Sequence, residues 1–145
     1  MQKSTIATAD ELGQAHASLL DDLQKLEHAV LASPQVSVLH MLSQLSTARS
    51  HITDHFGFEE KEEGWMEAVR KHQPRLEHAV CGMIEEHRQL VKSLKTLIEE
   101  AEAETKLEDA FRQKVLRWIQ RVREHELLEN ELLEDAFVED LGTGN

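Results

Sequence analysis

A chain of 145 residues holds one hydrophobic core and is too short for two, so it reads as a single domain over 1–145. The formal net charge of -12, with no run of Lys and Arg to meet phosphates, excludes nucleic acid and anionic membranes as natural partners. Leu, Ala, Glu, Gln, Lys and Arg dominate while Tyr is absent, a composition that favours helices throughout.

Cys81 stands alone, so no disulfide and no cysteine-based zinc site can form within the chain, and a reducing cytoplasm is the expected home. The first residues, Met1 to Thr5, are polar, and no apolar stretch approaches the roughly 20 residues that span a bilayer. Secretion and membrane insertion are therefore not expected. The unusual feature is nine histidines, and their places in the helical pattern decide what they do.

Thr8-Ala9-Asp10-Glu11 has the pattern of a capping box, in which the Thr side chain serves an orphan amide and the Glu reaches back. Helix one starts there, with an inward stripe of Leu12, His16, Leu19, Leu20, Leu23, Leu26 and Val30 at steps of three and four. Ser33-Pro34 predicts the start of helix two, Ser as N-cap and Pro at the first helical position. Its stripe of Val38, Leu42, Leu45, Ala48 or Arg49, Ile52, His55 and Glu59 runs on toward Gln73-Pro74.

Helix three is predicted from Arg75 to about Ala103, with Leu76, Val80, Met83 or Ile84, His87, Leu90, Val91, Leu94 and Leu97 inward. Helix four runs from about Leu107 to Phe137 and points Phe111, Val115, Trp118, Val122, His125, Glu129, Leu132, Leu133 and Ala136 to the core. The bundle thus covers about residues 8–138, and the tail ending in Gly142-Thr143-Gly144-Asn145 has no apolar content to anchor it and is expected to fray.

The two halves read as copies. His16-Ala-Ser-Leu-Leu matches His87-Arg-Gln-Leu-Val, and His55-Phe-Gly-Phe-Glu59 matches His125-Glu-Leu-Leu-Glu129. The expected fold is an all-α, antiparallel up-down-up-down four-helix bundle built from two helix hairpins in a pseudo-twofold repeat.

An i, i+4 spacing stacks two side chains on one helical face, so His55 with Glu59, and His125 with Glu129, each form half of a site. Bundling the four helices brings His16, His55, Glu59, His87, His125 and Glu129 into the middle layers of the core. Two buried carboxylates repel and lose hydration unless cations neutralise them, and metal ions remove that cost. Imidazole and carboxylate donors without thiolate suit a pair of iron ions first, with manganese and zinc as alternatives, because donor type alone does not fix the ion.

The ordered set His16, His55-x-x-x-Glu59, His87 and His125-x-x-x-Glu129 resembles the hemerythrin-like, HHE cation-binding domain over nearly the whole chain. Glu-His-Arg-x-Leu at 86–90 and His-Phe-x-x-Glu-Glu at 55–60 add to the resemblance. It implies a non-haem di-iron centre with His16 and His55 on one iron and His87 and His125 on the other. Glu59 and Glu129 would bridge the two, with an oxo or hydroxo group completing the pair. Oxygen-carrying members have a further histidine one turn before the third-helix ligand, where this chain has Met83, and a final aspartate at plus five, where it has Asn130. Fewer nitrogen donors imply a more labile and more reactive centre than an oxygen carrier's.

Three residues stand at the margin of this set. Glu63 is one turn beyond Glu59 and is either an extra donor or a solvated member of the acidic run Glu59-Glu60-Lys61-Glu62-Glu63. Met83 reads as core packing or a sulfur ligand. His51, one turn before His55, has Arg121 as its counterpart and reads as peripheral, or as a group behind the ligands. His28, His40, His72 and His78 are expected to be exposed, Cys81 to be at least half-buried, and Trp65 and Trp118 to pack at the end and middle of the bundle.

The functions consistent with this reading are binding or sensing of O2, NO or peroxide, with a signalling partner to carry the output. A second is reduction of peroxide or NO with a reductant as redox partner, and a third is iron handling or iron-sulfur repair. From another class comes a metal-free helical interaction bundle. The sequence leaves monomer and homo-oligomer open.

Overall fold

The computed structural model describes the backbone of residues 9–32 and 37–143 and the side chains of residues 17–32 and 37–136. Every regular element among them is helical: α1 (Ala9–Leu31), α2 (Val38–Glu60), α3 (Trp65–His72), a 3-10 turn (Pro74–Leu76), α4 (Glu77–Glu102) and α5 (Asp109–Thr143). The long helices α1, α2, α4 and α5 are the four that the periodicity predicts. Helix α1 packs on α2 and α5, and α4 packs on the same two, which closes the bundle. Short α3 lies against α2 and α4.

The predicted stripes supply most of the core. Leu19, Leu23, Leu26 and Val30 of α1 meet Leu45, Ala48 and Ile52 of α2, Leu90, Leu94 and Leu97 of α4, and Phe111, Val115, Trp118 and Val122 of α5 in one large buried cluster. Leu20, expected inward, is 47% exposed. In α2 the first turns face the core through fully buried Met41, leaving Val38 and Leu42 half-buried, and Ala48 rather than Arg49 occupies the inward position. The indole N–H of Trp118 donates to the Leu90 carbonyl at 2.9 Å, tying α5 to α4 in mid-bundle. Arg123 grips Glu27 through two 3.0 Å hydrogen bonds, tying α5 to α1.

A second, smaller cluster gathers Trp65, Met66 and Val69 of α3, Leu76 of the 3-10 turn, Val80 of α4, and Leu132 and Ala136 of α5. Gln73, which ends α3, donates its side-chain N–H to the Ala136 carbonyl at 3.2 Å. In α4 and α5 the histidines and glutamates of interest fall between residues of the large cluster and those of the small one, and Glu59 of α2 falls between Phe56 of the large cluster and Trp65 of the small one. The polar layer is therefore sandwiched between two apolar ones.

Helix boundaries depart from expectation in three places. Thr8 of the predicted capping box and the Ser33-Pro34 start lie outside the described residues, and the N-cap that is described is Ser37, whose Oγ accepts from the His40 amide at 3.0 Å. Helix α5 continues to Thr143, past the Phe137 end predicted for helix four and into the tail expected to fray. The largest difference is in helix two, which was expected to continue to Gln73 and instead stops at Glu60.

The cause is a tight turn that only glycine permits. The Gly64 amide bonds the Lys61 carbonyl at 2.8 Å, and a Cβ on Gly64 would lie 2.5 Å from the Glu59 carbonyl oxygen and 2.8 Å from that of Phe58. The chain folds back against the end of α2 and restarts as α3, which carries Trp65 over Glu59. No helix among the described residues is long and apolar enough to cross a membrane.

Candidate metal centre

Five of the six predicted ligands converge. His55 and Glu59 come from α2, His87 from α4, and His125 and Glu129 from α5, and all five are buried. The side chain of His16, the α1 member, lies outside the described residues. Such burial of imidazoles and carboxylates in mid-core demands compensation, since each ionised group gives up several kcal/mol of hydration, of order 2–7 kcal/mol even for a neutral polar group.

The compensation is mutual and centred on Glu129. Its Oε2 lies 2.8 Å from His87 Nε2 and 2.7 Å from His125 Nε2. His87 Nε2 is also 3.3 Å from Glu59 Oε1, while His55 Nε2 lies 3.5 Å from Glu59 Oε2 and 3.4 Å from Glu126 Oε1. All three histidines thus turn Nε2 toward carboxylate oxygens. One donor atom from each of Glu59, His87, His125 and Glu129 lies within 4.8 Å of the others, as does one from each of His55, Glu126 and Glu129, so Glu129 belongs to both groups.

The opposite ring nitrogens are held as firmly. Glu60 of α2 lies 2.5 Å from His87 Nδ1, and Glu86 of α4 lies 2.5 Å from His125 Nδ1. A carboxylate on Nδ1 fixes that nitrogen as the N–H donor and leaves the Nε2 lone pair facing inward, the tautomer a metal-binding imidazole needs. The His87 ring stacks on Phe56 at 3.8 Å and meets His125 edge-on at 4.7 Å, which sets both ring planes. Trp65 completes the wall by donating its indole N–H to Glu59 Oε2 at 3.2 Å.

The acid and base strengths reflect this crowding. Burial pushes the Glu129 carboxyl well above the carboxylate range and the neighbouring charge of Glu59 adds to this, against the opposing hydrogen bond from His87. Burial acts on Glu59 in the same direction, but hydrogen bonds from His87 and Glu129 outweigh it and hold Glu59 below its ordinary value. Burial would lower His87, yet its bonds to Glu129, Glu59 and Glu60 raise it to about 9. In the metal-free chain these directions favour a protonated Glu129 and a protonated His87 beside an ionised Glu59.

The marginal candidates fall elsewhere. Glu63 is exposed in the turn before Gly64, so it is the solvated glutamate of its acidic run and no donor to the site. Met83 is half-buried and packs against the small apolar cluster. His51 is exposed and pairs with Asp22 of α1, and it belongs to neither donor group. His28, His40, His72 and His78 are exposed as expected, while Cys81 is exposed, contrary to expectation.

Four residues that the sequence reading passed over belong to the site: Glu60, Glu86, Glu126 and Trp65. Glu60 and Glu86 adjoin Glu59 and His87 in sequence, but each serves a histidine on the next helix, a pairing that no single-helix pattern displays. No protein-family model, curated protein or solved structure matches the chain.

Proposed function

We propose that the chain is a hemerythrin-like protein holding two iron ions, through which it binds or senses O2, NO or peroxide. The observation that carries this reading is the centring of two imidazole Nε2 atoms on one carboxylate oxygen of Glu129, with each imidazole fixed from behind by Glu60 or Glu86. The donor chemistry fits a cation: lone pairs face one another across short distances, and protons are a poor substitute for a divalent ion.

In this reading His87, His125 and Glu59 hold one ion, His55 and the predicted His16 hold the other, and Glu129 and Glu59 reach both. Iron held there would supply electrons to a small oxidant and would take them back from a reductant. The protein's part is to orient the imidazoles through Glu60 and Glu86, to place Phe56 and Trp65 as walls against bulk water, and to hold the carboxylates where charge is needed. The reading includes an antiparallel course for the four long helices, a pseudo-twofold relation between the halves and a cytoplasmic home. It is supported by the neighbour order of the helices and by matching His-x-x-x-Glu pairs on α2 and α5.

Metal content and the visible spectrum, in air and after anaerobic reduction, test the proposal against Glu59→Ala. About two irons per chain, a ligand-to-iron band lost in the variant and a spectral response of the reduced protein to NO are expected. Protein that takes up no iron, or a band indifferent to Glu59, returns the molecule to a metal-free interaction bundle.

A further inference from the structure

The residue after each motif histidine marks where the two halves differ. Phe56 follows His55 and stacks on His87, a ring that closes one side of the layer. Glu126 follows His125 and is only 5% exposed, with Oε1 at 3.4 Å from His55 Nε2. It shares with His55 and Glu129 a set of donor atoms all within 4.8 Å.

A third carboxylate in this layer is costly. Glu59 and Glu129 are already buried in the same layer, so a third buried carboxylate adds a further loss of hydration. Surface exposure costs a helical glutamate nothing, and residues 127 and 128 on the same helix are exposed. A cation among Glu126, His55 and Glu129 would neutralise that charge.

We propose that Glu126 is a ligand of the metal ion on the His55 side and occupies the position that an exogenous ligand would otherwise take. The proposal rests on the two-metal reading above. It makes the centre asymmetric: the ion near His87 and His125 has a ring-walled environment, and the ion near His55 has one additional, displaceable carboxylate. Any incoming ligand, azide included, has to compete with Glu126 for the His55 ion.

The test uses the full chain with Glu126→Ala and the volume-preserving Glu126→Gln. Anaerobic titration with ferrous iron counts the ions and ranks their affinities, and azide titration of the oxidised, iron-saturated protein reads the open position. Expected are two equivalents in the wild type, a second equivalent weakened roughly tenfold or more in both variants with the first nearly unchanged, and tighter azide binding in Glu126→Ala by a similar factor. Both equivalents unchanged in the variants, or azide affinity unchanged in Glu126→Ala, overturns the assignment while leaving the two-metal centre intact. Wild-type protein that binds no iron defeats the underlying reading instead, and a single equivalent leaves no ion for Glu126 to hold.

Discussion

Replacing Glu129 with glutamine separates the cost of burying this carboxyl from its use. In the metal-free protein burial holds the Glu129 carboxyl above its ordinary range, and a protonated acid and a primary amide have nearly the same shape and the same zero charge. The amide oxygen takes the place of Oε2 between the two imidazoles, and its N–H donates to Glu59 in place of the acid proton. Exchange of one buried hydrogen bond for another of like kind changes stability by about 1 kcal/mol or less.

With iron present the outcome inverts, because Glu129 is the one residue common to both donor groups. An ion held at 1,000 times its dissociation constant stabilises the native state by about 4 kcal/mol, and an amide is a far weaker ligand than a carboxylate. Urea unfolding followed by the fluorescence of buried Trp65 and Trp118 reads both quantities, once with chelator and once under anaerobic ferrous iron. Glu129→Gln should match the wild type in chelator and lose most of the iron-dependent increment. A loss above about 2 kcal/mol in chelator, together with an undiminished increment from iron, would refute the reasoning, since Glu129 would then be a structural group with no metal to serve.

Glu60→Gln and Glu86→Gln each remove a carboxylate behind an imidazole and should weaken iron binding ~10–100-fold with little loss of helix content, as measured by competition with a coloured chelator and by circular dichroism. For the metal-free protein, His87 has a folded pKa of about 9 against 6.5 ordinarily, so the stability it contributes is complete below about pH 6.5 and lost as pH rises through 9. Urea midpoints in chelator should fall over that window by an equivalent of up to about 3 kcal/mol, whereas iron-loaded protein, whose ligands bind in deprotonated form, should not show this decline. Gly64→Ala puts a Cβ 2.5 Å from the Glu59 carbonyl oxygen, so the turn must open. A cost of about 2–4 kcal/mol and weaker iron binding are expected by urea unfolding and chelator competition.

The four long helices were legible because steps of three and four leave a strong mark in a chain with few turn residues. The described part of the candidate site was legible for the same reason, since His55 with Glu59 and His125 with Glu129 are neighbours on one helical face. What periodicity could not display was contact between helices. Glu60, exposed in any single-helix reading as part of an acidic run, becomes a partner of His87 only when α2 lies beside α4, and Glu86 reaches His125 only across α4 and α5. The break at Gly64 was missed because the apolar pattern of α3 continues that of α2. Its signal was local: a glycine after five charged residues, adjoining a tryptophan whose indole N–H needs a buried acceptor. Leu20 and Met41 show the remaining limit, since adjacent apolar residues compete for one inward position and neighbouring helices decide between them.

The arrangement of apolar layers bears on how metal and fold depend on each other. Small metal domains with little core unfold when the ion leaves. Here the large cluster draws on α1, α2, α4 and α5 without any of the metal-set residues, so the bundle has its own reason to fold. The small cluster depends on α3, which is held in place by the Gly64 turn, by Gln73 on the Ala136 carbonyl and by Trp65 on Glu59. Fewer buried groups support that end, so local opening there costs less than global unfolding. An opening that lifts Trp65 from Glu59 would expose the polar layer while the large cluster stays closed, and under the proposed reading it would let an ion enter or leave with the rest of the bundle intact.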